Sequence, residues 1–252
     1  MDQTPWGGWM LDKDKHVLLL SIVIPTLDAA EDLESCLDAL KDGQESAIDN
    51  AVDVPGTDII IADGGSTDGT KALAERLGVR VIIAARGRGP QLADGAAAAA
   101  GDWLLFLHAD TRLAMGWMAA LAGFINNPAN RYHAAAFRFA LDDDSRAARR
   151  LERLVAWRCR AFGLPYGDQG LLISRRFYDA LGGYGHEPLM EDVALVSRIG
   201  RARLRYLDVP AITSAVRYAN GGYILRPMRN LSCLGLYFLG LPVPFIARIY
   251  GR

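Results

Sequence analysis

A chain of 252 residues, 51% hydrophobic and 23% charged, is long enough to bury a large core and too apolar to be disordered. With 28 Lys and Arg against 29 Asp and Glu, the formal net charge is -1, so there is no global attraction to nucleic acid and a nucleic-acid partner is not expected. Three cysteines, Cys36, Cys159 and Cys233, form neither a paired framework nor a CxxC, which argues for a reducing, cytoplasmic compartment and against a cysteine-held metal.

The first predicted strand covers 18–24. Its apolar run follows Lys13, Lys15 and His16 and has the outline of a secretory leader. Pro25 ends the run, however, and Leu33, Leu37 and Leu40 then set a helical period, so strand, loop and helix (30–41) is the better reading. A second strand, 58–62, runs into Asp63-Gly64-Gly65-Ser66-Thr67-Asp68-Gly69-Thr70 and a helix over 70–77. Taken alone that segment is more often an ordinary turn. Yet a carboxylate at the carboxyl end of a buried strand stands at the crevice where open α/β sheets bind ligands.

A third strand (79–84) leads to Arg86-Gly87-Arg88-Gly89, two arginines among glycines before a helix over 91–100, where guanidinium groups and free amides suit a diphosphate. The fourth strand (103–108) delivers His108 and Asp110 to the same rim as Asp63, and a carboxylate there can carry Mg²⁺ or simply cap the next helix. Strand and helix in strict alternation predict an α/β fold, a Rossmann-like, mostly parallel sheet flanked by helices.

Beyond residue 110 the alternation fades. A helix is expected over 111–125, a strand over 134–141 and a helix over 151–162. Around that last helix lie Arg146, Arg149, Arg150, Arg153, Arg158 and Arg160, a basic amphipathic pattern that suits an anionic membrane or a lipid-phosphate acceptor, though an ordinary solvated face is the favoured reading. Tyr166-Gly167-Asp168-Gln169-Gly170 precedes an apolar stretch, and Glu191-Asp192 opens another helix, where the dipole favours acids whatever their function. Residues 231–247 carry no charge, but Pro242 and Pro244 argue against a spanning helix; core packing is favoured, with a homodimer contact or a membrane-interface hairpin left open. One domain is expected: a parallel half (18–110), a mixed half (111–220) and an apolar extension (221–252).

With DGGSTDGT, Asp110 after the fourth strand and the Glu-Asp pair in that order, the chain resembles a family 2 glycosyltransferase of the GT-A fold over roughly 18–220. Within that family it looks most like a bacterial subgroup carrying LFLHADT (105–111), for which a role in arsenosugar biosynthesis has been proposed. The resemblance implies transfer from a nucleoside-diphosphate sugar to an acceptor hydroxyl, with inversion. It makes 18–110 the nucleotide-binding half and 111–220 the acceptor and catalytic half, places Pro25, Thr26, Leu27, Arg86, Arg88 and His108 around the nucleotide with Asp63 accepting a hydrogen bond from the base, and puts a Mg²⁺ or Mn²⁺ on Asp110. It also makes Asp192 the general base beside Glu191, lets Gln169 and Gly170 shape the sugar and acceptor pocket, and sets Arg217 against the departing diphosphate. One departure stands out, because the usual Asp-x-Asp metal motif reads His108-Ala109-Asp110 here, which weakens the expected hold on the cation. Two rivals stay open, a nucleotidyltransferase and a catalytically silent nucleotide-sugar-binding protein. The first usually shows a glycine-rich, lysine-bearing loop where this chain has PTLDAAED.

Overall fold

The computed structural model describes residues 18–187, 189–216, 218, 222–223 and 225–250. Its centre is four parallel strands, β1 (Leu19–Thr26), β2 (Gly56–Asp63), β3 (Arg80–Ile83) and β4 (Trp103–Phe106), linked by the helices α1 (Ala30–Asp49), α2 (Thr70–Arg76) and α3 (Arg88–Ala98). Alternate residues of each strand feed different cores. Leu20, Ile22 and Ile24 of β1 pack with Leu33, Leu37 and Leu40 of α1, whereas Val23 packs with Leu92 and Ala96 of α3. Both faces are therefore covered, which is why these strands read as unbroken apolar runs. Each fully buried Leu or Ile adds about 1.5–3 kcal/mol.

The sheet continues through β5 (Thr111–Leu113), β6 (Ala134–Leu141), β7 (Leu171–Ser174) and β8 (Leu204–Thr213) in the order β3-β2-β1-β4-β7-β6-β8-β5. Pairings β4·β7, β6·β7 and β5·β8 are antiparallel and β6·β8 is parallel, so both halves of the chain share one mostly parallel sheet. Between β1 and β4 the strand order reverses, with α1 leaving on one face and α3 on the other. That reversal opens a crevice at the carboxyl ends. Past it lie α4 (Trp117–Ile125), α5 (Arg146–Phe162), α6 (Arg175–Ala180), α7 (Glu191–Ile199), α8 (Leu225–Phe238) and α9 (Val243–Tyr250).

Three local expectations differ from the structure. The helix expected over 111–125 begins only at Trp117: Thr111 pairs with Thr213 across β5·β8, their hydroxyls 3.1 Å apart, and Gly116 at φ 87° breaks the chain before α4. Helix α1 runs to Asp49, well beyond residue 41, and α5 starts five residues early because Ser145 caps it by accepting from the Ala148 amide. The apolar extension is two helices packed together, with Cys233 and Ile246 fully buried between them. No helix among the described residues is long and apolar enough to cross a membrane.

Candidate active site

The DGGSTDGT segment organises one side of the crevice. Asp63 is 1% exposed and accepts four hydrogen bonds, from Thr26 Oγ1 (3.0 Å), the Gly65 and Ser66 amides (2.9 Å each) and Ser66 Oγ (2.5 Å). Burial pushes its carboxyl up, but these donors outweigh it and hold the group below the ordinary carboxylate range. Four bonds exhaust a carboxylate's acceptor sites. The expected contact from Asp63 to a base is therefore not supported by the geometry; its oxygens are consumed inside the turn. Ser66, Thr70 and Asp68 instead accept from the amides of Asp28, Ala29 and Ala30 in turn, and so fix the loop after β1.

That loop lines a cavity of about 580 Å³, with Pro25, Thr26 and Leu27 on one wall and Arg86, Arg88 and Gln91 on the other, closed by His108 and Asp110. Gln91 is a brace that the sequence did not single out. Its amide donates to the backbone oxygens of Thr26 (2.5 Å) and Ala62 (2.9 Å), tying α3 to the ends of β1 and β2.

Arg88, His108 and Asp110 also border a second compartment of about 130 Å³, where they meet Gly167, Asp168, Glu191 and Asp192. Arg88 reaches Glu191 at 4.0 Å, an ion pair whose acid is 3% exposed and which joins the first turn of α3 to that of α7. Met190 adopts a left-handed conformation (φ 66°), uncommon for a residue with a side chain, and turns the chain so that Glu191 and Asp192 enter the cleft. Asp192 accepts from the Gly167 amide at Oδ2 (3.0 Å) and from the Tyr184 hydroxyl at Oδ1 (3.1 Å). Burial first, then the charges of Asp192 and Glu191, push the Tyr184 hydroxyl well above its ordinary value, so it stays a donor.

Gly167 is wedged between the two sides of the site. A Cβ there would lie 2.3 Å from His108 Nε2 and 2.6 Å from Asp192 Oδ2. Next to it Asp168 is pushed up to about 6, mainly by burial and further by Asp110 and Asp192, with Arg158 opposing. The cleft thus gathers acidic groups. No three His, Cys, Asp or Glu side chains among the described residues are gathered closely enough to chelate an ion. His108 and Asp110 at the rim fit a cation held by one or two protein groups and completed by a diphosphate, the usual magnesium arrangement.

Other expected residues sit elsewhere. Gln169 is 2% exposed, donates to the Phe137 carbonyl (3.0 Å) and accepts from Cys159 Sγ (3.1 Å), while a Cβ on Gly170 would meet Phe137 at 3.2 Å. Both stand behind the wall and support it, because their polar groups and space are taken up by buried neighbours. Arg217 lies outside the described residues. Asp168 and Tyr184 were missed, though the first sits in the GDQG turn and the second follows Gly182-Gly183.

A sheet with nucleotide-sized space at its switch point and carboxylates across the rim defines a Rossmann-like α/β enzyme scaffold. The family model described as "Glycosyl transferase family 2" matches residues 21–182, well over half of the chain, and the chain belongs to that family. Among curated proteins it is similar to the PGL/p-HBAD biosynthesis glycosyltransferases of Mycobacterium bovis (strain BCG / Pasteur 1173P2) and Mycobacterium tuberculosis (strain ATCC 25177 / H37Ra). Each is 36% identical over 115 residues, 42% of this chain and 41% of the relative. The chain thus matches about two-fifths of the length of these relatives. Among solved structures, the mannosyltransferase PcManGT from Pyrobaculum calidifontis, in complex with GDP-Man and Mn²⁺, shares the fold with a TM-score of 0.61 at 17% identity, covering 92% of this chain and 68% of that one. Glucosyl-3-phosphoglycerate synthase from Mycobacterium tuberculosis, in complex with Mn²⁺, UDP and glucosyl-3-phosphoglycerate, does so at 0.59 and 20%, covering 89% and 81%.

Proposed function

We propose that this chain transfers a sugar from a nucleoside-diphosphate sugar to an acceptor hydroxyl, with inversion. The observation that carries the reading is the junction of the two compartments. A nucleotide-sized cavity and an acid-lined one share Arg88, His108 and Asp110, and Asp192 stands across the junction with both oxygens held.

Asp192 takes the acceptor's proton as its oxygen bonds to the anomeric carbon and the bond to the diphosphate breaks; a positioned base of this kind contributes about 10²–10⁴ in rate. The Gly167 amide and the Tyr184 hydroxyl fix the carboxylate for that approach. Arg88 and Arg86 face the diphosphate, Pro25, Thr26 and Leu27 enclose the nucleoside, and Glu191 holds Arg88 in place. Asp110 with His108 would hold Mg²⁺ or Mn²⁺, which when bound supplies positive charge to the departing diphosphate. The likeness of 105–111 to the arsenosugar-linked subgroup belongs to this proposal too and adds little about the acceptor. The same holds for a cytoplasmic location.

A second reading, a nucleotide-sugar-binding protein without turnover, is favoured by His108 standing where the family usually has a carboxylate. Thermal shifts with UDP, GDP, Mg²⁺ and Mn²⁺ followed by product analysis on candidate donors separate the readings. Nucleoside diphosphate release supports transfer, stabilisation without release supports binding alone, and pyrophosphate release would point to nucleotidyl transfer.

A further inference from the structure

Helices α5 and α8 enclose a third hollow of about 580 Å³, walled by Leu154, Trp157 and Phe162 on one side and Met228, Leu231 and Phe238 on the other. Each of these six side chains is more than half exposed, although α5 already buries Leu151, Val155 and Cys159 against β6. A contiguous apolar surface of this kind marks a binding groove. Tyr166, Asp168, Tyr218 and Asn230 line both the hollow and the acid-lined compartment, so the two are continuous.

At that neck the Oδ1 atoms of Asp168 and Asn230 are buried and have no hydrogen-bond partner among the described residues. Buried acceptors without a partner are rare in native proteins and call for a donor. Among the described residues of the wall, the guanidinium of Arg158 is engaged: it lies 3.6 Å over the Tyr166 ring and donates to the Leu164 carbonyl at 3.0 Å. An uncharged apolar chain suits the hollow, and hydroxyl donors suit its neck.

We propose that the acceptor is amphipathic, a hydroxyl-bearing head on a long alkyl or isoprenoid tail. The head meets Asp168 and Asn230 beside Asp192 and the tail lies between α5 and α8. This deepens the transferase reading of the cleft and rests on it.

Gly235 lines the hollow, and a Cβ there meets nothing within 4 Å, so Gly235→Trp fills the space without a backbone clash. Displacement of the dye 1-anilinonaphthalene-8-sulfonate by 1-decanol is measured on the full chain and on this variant, with the thermal shift by UDP or GDP measured on both. The expected result is that the variant needs at least tenfold more 1-decanol, with the nucleotide shift unchanged, and that the wild-type chain forms a decyl glycoside once a donor turns over. Equal displacement in the two chains with the nucleotide shift intact would overturn the tail site. So would displacement that weakens as protein concentration rises, the mark of a second copy covering the hollow. A wild-type chain that shows no nucleotide shift, with decanol binding still sensitive to Gly235→Trp, would instead fault the transferase reading and with it the acceptor role.

Discussion

Gly167→Ala changes one hydrogen to a methyl group at the point where the two sides of the site touch. The added carbon would sit 2.3 Å from His108 Nε2, 2.6 Å from Asp192 Oδ2 and 2.8 Å from His108 Cε1. Ordinary contact begins near 3.4 Å, so both side chains have to give way, His108 by roughly 1 Å and Asp192 by slightly less. Retreat of Asp192 stretches the 3.0 Å bond from the Gly167 amide, and retreat of His108 moves a wall shared with the nucleotide cavity. A misplacement of about 1 Å in a catalytic group costs on the order of 10²-fold in rate, while overpacking costs stability by about 1–3 kcal/mol. The assay is nucleoside diphosphate release, run beside a thermal melt to show that the variant is folded at the assay temperature. A folded variant with kcat within about threefold of wild type, against the expected loss of about 10², would refute the placement of His108 and Asp192 on either side of this residue.

Tyr184→Phe removes the donor on Asp192 Oδ1 and leaves the Gly167 bond, so kcat falls about tenfold while KM for the donor stays put, as expected for one hydrogen bond to a charged group; an equal rise in KM would point to a structural role. Asp63→Asn breaks a carboxylate with four donors and destabilises the fold by about 2–3 kcal/mol at neutral pH. Because its folded-state value lies below the ordinary one, Asp63's stabilisation is present above the unfolded-state range near pH 4 and is lost as pH falls through the lowered value, which urea melts against pH check by the convergence of the two chains in acid. Asp168 behaves oppositely. Pushed up to about 6 from 3.8, its carboxyl costs nothing below about pH 4 and progressively more as pH rises through 6, to about 3 kcal/mol. Asp168→Asn is therefore expected to melt like wild type near pH 4 and above it at pH 7.5, both in EDTA, and a constant difference across that range would contradict the assignment.

The first half of the fold was legible because its strands are buried on both faces and separated by clear helical periods, so 18–24, 58–62 and 103–108 each fall on an observed strand with small shifts at the ends. Residues 111–125 misled because Leu113, Met115 and Trp117 to Leu121 look helical locally, and only the distant partner β8 makes 111–113 a strand. In the site, Asp110 and Asp192 were legible as carboxylates at element ends, and both border the same compartment. Asp63 misled in the other direction: its position at a strand end is as expected, but Thr26 and Ser66 saturate it, and no spacing in the sequence shows a hydrogen-bond count. Gln169 was chosen over its neighbour Asp168 although only a three-dimensional view shows which of two adjacent side chains points inward. The apolar hollow was invisible for the same reason, since α5 and α8 lie far apart in sequence.

The role of Asp192 as the base is tested by comparing wild type with Asp192→Asn in two measurements on the same preparations: nucleoside diphosphate release from the donor that the wild type uses, and the Kd for that nucleoside diphosphate with Mg²⁺ or Mn²⁺. Release is expected to fall at least about 10²-fold, the low end of general-base contributions, while the Kd is nearly unchanged. An Asp192→Asn chain that turns over at the wild-type rate would contradict that role.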